Sequence, residues 1–166
     1  LGSETSSCVS SRGEYFFDDK YNKKTWQISS YDDAHPGWGC TPDEQFRTNA
    51  KFPHLLGEYV WTGFDYLGEP IDLAGFKKDR FYSYQSHWKP EMPIAYIFPH
   101  WNWSERIGLV TPVHVYTSGD EGELFLNGKS LGRKKMTSGQ DFRLVWDDVI
   151  YTPGTLKVIC YKNGKE

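Results

Sequence analysis

Gly57-Glu58-Tyr59-Val60-Trp61-Thr62-Gly63-Phe64-Asp65-Tyr66-Leu67-Gly68-Glu69-Pro70 decides the fold. It reads as a buried strand over 58–64 that runs out into aromatic, acidic and glycine residues. The opening run Leu1-Gly2-Ser3-Glu4-Thr5-Ser6-Ser7 has the same character, with an acidic side chain where a strand ends. Two such strand ends, separated by a helix-sized stretch, are what a (β/α) barrel offers at its catalytic face.

Between them, residues 10–39 are rich in Ser, Asp, Tyr and Gly with weak periodicity. They read as a long loop over a rigid scaffold, a usual place for substrate contacts. Thr41-Pro42-Asp43-Glu44 then predicts a helix start, with Thr41 as N-cap, Pro42 first in the helix and Glu44 completing a capping box. The pattern runs on to Leu56 and stops at Gly57, with Pro53 marking a kink or an early end. A second helix is predicted over 77–88, with Phe81, Tyr84 and Trp88 on one face.

Lys89-Pro90-Glu91-Met92-Pro93 breaks this pattern and sets the predicted domain boundary, 1–89 against 90–166. Beyond it, short apolar runs at 94–98, 113–116, 123–126, 130–134, 142–146 and 155–161 alternate with turn residues, the pattern of a β-sandwich. Asn127-Gly128 accepts the positive φ angles of a type I′ hairpin turn and is flanked by apolar alternation. About seventy residues is small for a sandwich, which implies a further strand or two beyond Glu166.

Composition narrows the function classes. A net charge of −3, with the lysines and arginines spread out, gives no footprint for nucleic acid or a membrane surface, and a neutral ligand fits better. No apolar run approaches the roughly 20 residues of a membrane-spanning helix. Cys8, Cys40 and Cys160 lack metal-ligand spacing and are odd in number, so they read as free thiols. Glu69 and Asp72 offer too few oxygen ligands for calcium, and neither a metal nor an organic cofactor is implied.

These residues carry a resemblance. Gly2-Ser3-Glu4-Thr5-Ser6-Ser7 and Tyr59 to Pro70 resemble glycoside hydrolase family 2, in particular its β-galactosidases of gut-type bacteria. The likeness continues through Asp72-Leu73-Ala74-Gly75-Phe76-Lys77-Lys78-Asp79-Arg80-Phe81-Tyr82, Pro99-His100-Trp101-Asn102-Trp103 and Glu123-Leu124-Phe125-Leu126-Asn127-Gly128-Lys129-Ser130-Leu131-Gly132. It implies an α/β part followed by an all-β part: strands seven and eight of a (β/α)8 TIM barrel, then an immunoglobulin-like β-sandwich. It also implies a fragment of a longer polypeptide, with the upstream domains as partners. An exo-acting, retaining β-galactosidase from the periplasm or outside the cell is the expectation, with a β-galactoside oligosaccharide or glycan as substrate. Association into a homo-oligomer is left open.

By the resemblance Glu4 is the catalytic nucleophile and the acid/base glutamate lies at strand four, upstream of Leu1. On residue type alone, a surface or helix-capping carboxylate is the commoner fate of such a glutamate, and the family motif is what reverses that reading. Trp61 is the expected sugar platform, an indole face stacking on a pyranose, against the alternative of a packed core tryptophan. Asp65 accepts a sugar hydroxyl or orients a loop. His35 and Trp38 contact sugar from the loop after strand seven, or anchor that loop. His100, Trp101 and Trp103 are expected to pack the β-domain against the barrel.

Two departures from the family stand out. Pro70-Ile71 joins two motifs that relatives separate by a longer loop. The stretch Ala74-Gly75-Phe76-Lys77 lacks the Asn-x-Lys pair expected of a β-glucuronidase, although that activity, or β-mannosidase, stays an alternative within the family. A third reading is non-catalytic, with residues 90–166 binding carbohydrate or a neighbouring domain.

Overall fold

The structure, a computed structural model, describes residues 1–166 except 7–8, 18–20, 23–26, 62 and 64–69, and except the side chains of 3, 21 and 22. It is mostly β-structure with two α-helices, in two compact units, Leu1–Tyr84 and Gln85–Glu166. The division falls inside the second helix, upstream of the Lys89-to-Pro93 break.

The first unit contains β1 (Gly2–Thr5), β2 (Tyr21–Asn22), β3 (Gln27–Ile28), α1 (Pro42–Lys51), β4 (Glu58–Val60) and the start of α2 (Asp79–Trp88). β1 and β4 pair in parallel, and the chain between them carries α1, so this is a β-α-β crossover. α1 starts where the capping box places it. The Thr41 N–H donates to Glu44 Oε2 at 2.7 Å, and the Glu44 N–H donates to Thr41 Oγ1 at 3.3 Å.

Three expectations need correction. α1 ends at Lys51, not Leu56, because Pro53 lacks the N–H that a continuing helix needs. β4 ends at Val60, short of the predicted 64, and Tyr59 is 66% exposed, because β4 is hydrogen-bonded on one side only among the described residues. α2 begins at Asp79, and Trp88 is exposed. The face that α2 buries is largely polar: Asp79, Arg80, Ser83 and Ser86 with Tyr84.

That polar face fastens the long loop. The Arg80 guanidinium grips Asp32 with Nε to Oδ2 at 2.8 Å and Nη2 to Oδ1 at 2.5 Å, both side chains being fully buried. Arg80 Nη2 also donates to Ser10 Oγ at 3.2 Å, Lys78 Nζ to the Ser10 carbonyl, and Tyr15 OH to Asp79 at 2.5 Å. The first turn of α2 thus satisfies loop polar groups that burial would otherwise leave at a cost of about 1–3 kcal/mol each. Ile28 and Tyr31 are buried and Tyr15 packs edge-on to Tyr31 at 5.0 Å, so the loop has a small core of its own.

The second unit holds β5 (Ala95–Phe98), a 3₁₀ turn (Ser104–Arg106), β6 (Val113–Thr117), β7 (Glu121–Leu126), β8 (Lys129–Lys135), β9 (Leu144–Trp146) and β10 (Leu156–Tyr161). These strands form two antiparallel sheets, ordered β5-β6-β9 and β10-β7-β8. Val113, Val115, Leu144 and Trp146 from the first sheet meet Leu124 from the second in one core, with Leu126, Leu131 and Val158 packed against it. Each fully buried aliphatic side chain contributes roughly 1.5–3 kcal/mol, so this shared core holds the layers together. Cys40 and Cys160 are free thiols, and Cys8 lies outside the described residues.

The β7–β8 turn is the one that sequence dictates. Asn127 has φ 52° and Gly128 φ 80°. The Asn127 side chain also clamps the loop before β10: Nδ2 donates to the Pro153 carbonyl at 3.1 Å, and Oδ1 accepts from the Thr155 N–H at 2.9 Å. Asn127→Ala is expected to destabilise this unit by about 1–3 kcal/mol, through two lost hydrogen bonds and a strained positive φ. Urea denaturation checks it; a change under about 0.5 kcal/mol would mean that solvent replaces the clamp.

Candidate functional site

Strand pairing brings together the first two candidates. The Gly2 N–H donates to the Gly57 carbonyl at 3.1 Å and the Trp61 N–H to the Thr5 carbonyl at 3.2 Å, so β1 and β4 finish side by side. Glu4 is the penultimate residue of β1, and Trp61 follows the last residue of β4. Thr5 donates to Glu58 Oε2 at 2.8 Å and pairs with Val60 in register, which sets Thr5, Glu58 and Val60 on one face. Alternation along β4 puts Tyr59 and Trp61 on the other; Glu4, which lies in the register shift of β1, is exposed, as are both rings, Trp61 at 46%. An exposed carboxyl group and two exposed aromatic rings therefore stand at the C-terminal ends of two adjacent parallel strands. A carboxylate beside an indole can attack or stabilise an electrophilic carbon while the ring carries the apolar face of a sugar.

The loop candidates behave differently. His35 Nδ1 donates to the Pro36 carbonyl at 2.7 Å, and Nε2 lies 3.5 Å from Glu44 Oε2. Both ring nitrogens are thus engaged within the loop and the α1 cap. Trp38 is 61% exposed and free to meet a ligand. Asp65 and Glu69 lie outside the described residues. Asp72 closes its own turn, accepting from the Ala74 and Phe76 N–H groups and pairing with Arg12 at 2.8 Å. Among the described residues no group of three or more His, Cys, Asp and Glu could hold a metal ion. Lys77 places its ammonium over the Phe81 ring, 4.2 Å from the centroid. His100 stacks on Trp103 at 4.1 Å, and Trp101 packs on Tyr151 at 4.9 Å, contacts within the second unit.

Burial around Glu44 works to raise its pKa, but the Thr41 N–H and hydroxyl and the charges of His35 and Arg47 outweigh it, and the net shift is downward. A depressed carboxyl contributes stability that is fully present above its ordinary value of 4.5 and is lost as pH falls through the lower folded value. Acid titration of α1 stability should therefore show a loss below that range which Glu44→Gln removes. An unchanged acid limb in the variant would assign the loss to other carboxyls.

Sequence reasoning missed Glu58 and its bond to Thr5. Burial pushes the Glu58 carboxyl up, with the Thr5 hydrogen bond acting against it. The available signal was parity: Glu58 lies three residues before Trp61 and so faces away from it.

Residues 108–166 match the family model described as a domain of unknown function, DUF4982. A β-galactosidase, BoGH2A of Bacteroides ovatus, is 38% identical across 90% of this chain and 19% of its own length. A Formosa agariphila protein provisionally named a β-glucuronidase is 38% identical across 92% of this chain and 17% of its own. A solved β-glycosidase from Bacteroides vulgatus superposes with a TM-score of 0.82 at 29% identity, over 98% of this chain and 26% of that one. The chain belongs to glycoside hydrolase family 2. It spans about a fifth of the length of the curated relatives it matches.

Proposed function

We propose that residues 1–89 form the C-terminal part of a family 2 catalytic barrel, β1 and β4 being its seventh and eighth strands. Residues 90–166 form an immunoglobulin-like accessory domain of the same enzyme. Its reaction is the hydrolysis of terminal β-D-galactosides with retention of configuration. The observation that carries this reading is the exposure of Glu4 and Trp61 at the C-terminal ends of adjacent parallel strands. Catalytic groups of such barrels come from that end, and uncovered acid and aromatic side chains suit a barrel whose other strands complete it.

Glu4, ionised, attacks the anomeric carbon as the bond to the leaving oxygen breaks. A second carboxyl, supplied by the rest of the barrel about 5–5.5 Å away, protonates that oxygen and then activates the water that cleaves the glycosyl–Glu4 ester. Trp61 stacks on the sugar ring, while Asp65, His35 and Trp38 border the pocket. His35 does so as an anchor held by Glu44.

The B. ovatus relative supports galactose as the sugar. A second reading, β-glucuronidase, is favoured by the F. agariphila relative. Against it, Lys77 is engaged with an aromatic ring and no Asn-x-Lys pair accompanies it. The test uses the full polypeptide that carries this chain, with aryl β-galactoside and β-glucuronide as substrates and NMR of the first anomer released. Galactoside preferred by on the order of 100-fold, with β-galactose appearing first, is the expected result. Preference for the glucuronide transfers the reading to the second sugar, and initial α-anomer would remove Glu4 as nucleophile.

A further inference from the structure

The end of β1 carries a defect in its pairing. Gly2 pairs with Glu58 and Thr5 with Val60, so three steps along β1 match two along β4, and the register shifts between them. One extra residue on one strand is a bulge, a device that re-aims side chains near active sites. Glu4 lies within it. A Cβ at position 2 would come within 2.5 Å of Thr5 Cγ2, so a side chain there would displace Thr5.

Thr5 and Glu58 hold the end of this bulge. Thr5 Oγ1 lies 2.8 Å from Glu58 Oε2 and 3.2 Å from the Tyr59 carbonyl. A hydroxyl has one proton and cannot donate fully to two acceptors. The shorter contact makes Glu58 Oε2 the main acceptor of the Thr5 proton, with the Tyr59 carbonyl as a secondary acceptor. Glu58 Oε1 is buried with no hydrogen-bond partner among the described residues, so the Thr5 hydroxyl is what holds this side chain there. Burial also pushes the Glu58 carboxyl up.

We propose that Glu58 is a positioning residue that acts through the Thr5 hydroxyl to lock the β1 bulge and so fix the direction of Glu4. This rests on the reading of Glu4 as nucleophile. The strut runs from the Glu58 side chain to Thr5, and from Thr5 to the backbone of β4 just before Trp61. It ties the attacking carboxylate and the sugar platform to one geometry. Glu58 itself touches neither substrate nor reacting atoms.

The test compares the rate at which an activated 2-deoxy-2-fluoro-β-galactoside labels Glu4 in the full polypeptide and in four variants. Thr5→Val and Glu58→Leu remove the strut. Thr5→Ser and Glu58→Gln keep the hydroxyl donor and a carbonyl acceptor. Expected is labelling slowed about tenfold or more in the first pair, at little-changed affinity for the trap, and within about threefold of wild type in the second, since small misplacements cost that much. Labelling of Thr5→Val and Glu58→Leu at the wild-type rate overturns the proposal. So does an equal fall in all four variants, or a fall matched by loss of cooperative unfolding, either of which makes the pair structural. Absence of label on wild-type Glu4 instead removes the nucleophile reading, and the proposal with it.

Discussion

Glu4→Ala is expected to lower the turnover of aryl β-galactosides by about 10,000-fold or more, because it removes the proposed nucleophile and with it the covalent route. The fold should survive the change, since Glu4 is exposed near the end of β1. The consequence can be made specific by adding azide. A small anion fits the space left by the carboxylate, attacks the anomeric carbon from the same side, and stops at a glycosyl azide of inverted configuration. Restored release of the aglycone with an α-glycosyl azide product is the expected outcome. Residual activity within about tenfold of wild type would mean that Glu4 is only a neighbour of the reacting carbon.

The second large effect concerns the scaffold. Asp32 and Arg80 have side chains wholly removed from solvent and joined by two hydrogen bonds. Removing one partner leaves the other charge buried without its counterion, which typically costs about 3–5 kcal/mol. Arg80→Met and Asp32→Asn should each approach that figure in urea denaturation of the first unit. The double variant should cost less than the sum, because no isolated charge remains. Asp32→Asn keeps a side chain tolerated at the φ of 51° found there, so its cost reports the lost ion pair and not backbone strain. Additive losses in the double variant would show that the two residues act independently. Because Arg80 also reaches Ser10, either single change should loosen the loop that carries His35 and Trp38.

What could be read from the sequence depended on the range of the interactions. The β-strands of the second unit were legible because one face is apolar and the other wet, and their observed bounds fall within about two residues of the expected runs. The Asn127-Gly128 turn and the Thr41–Glu44 capping box were legible for the same reason: each is decided within four residues. Long-range polar pairing was not. Asp32 and Arg80 are 48 residues apart and sit in no motif, so α2 was read from the spacing of Phe81, Tyr84 and Trp88, and Trp88 turned out to be exposed. In the candidate site, the two strand ends that carry Glu4 and Trp61 were legible as strand ends, and their adjacency is the parallel pairing of β1 with β4. The Thr5–Glu58 bond could not be foreseen, because it depends on a register shift that sequence does not display.

The central claim is that Glu4 forms a covalent bond to galactose. The full polypeptide, incubated with an activated 2-deoxy-2-fluoro-β-galactoside, digested and mapped by mass spectrometry, tests it most directly, because the fluorine slows breakdown of the intermediate more than its formation. One fluorogalactosyl group on the peptide that contains Glu4 is the predicted result. A protein that hydrolyses β-galactosides yet carries the label on another residue, or takes up none, would contradict it.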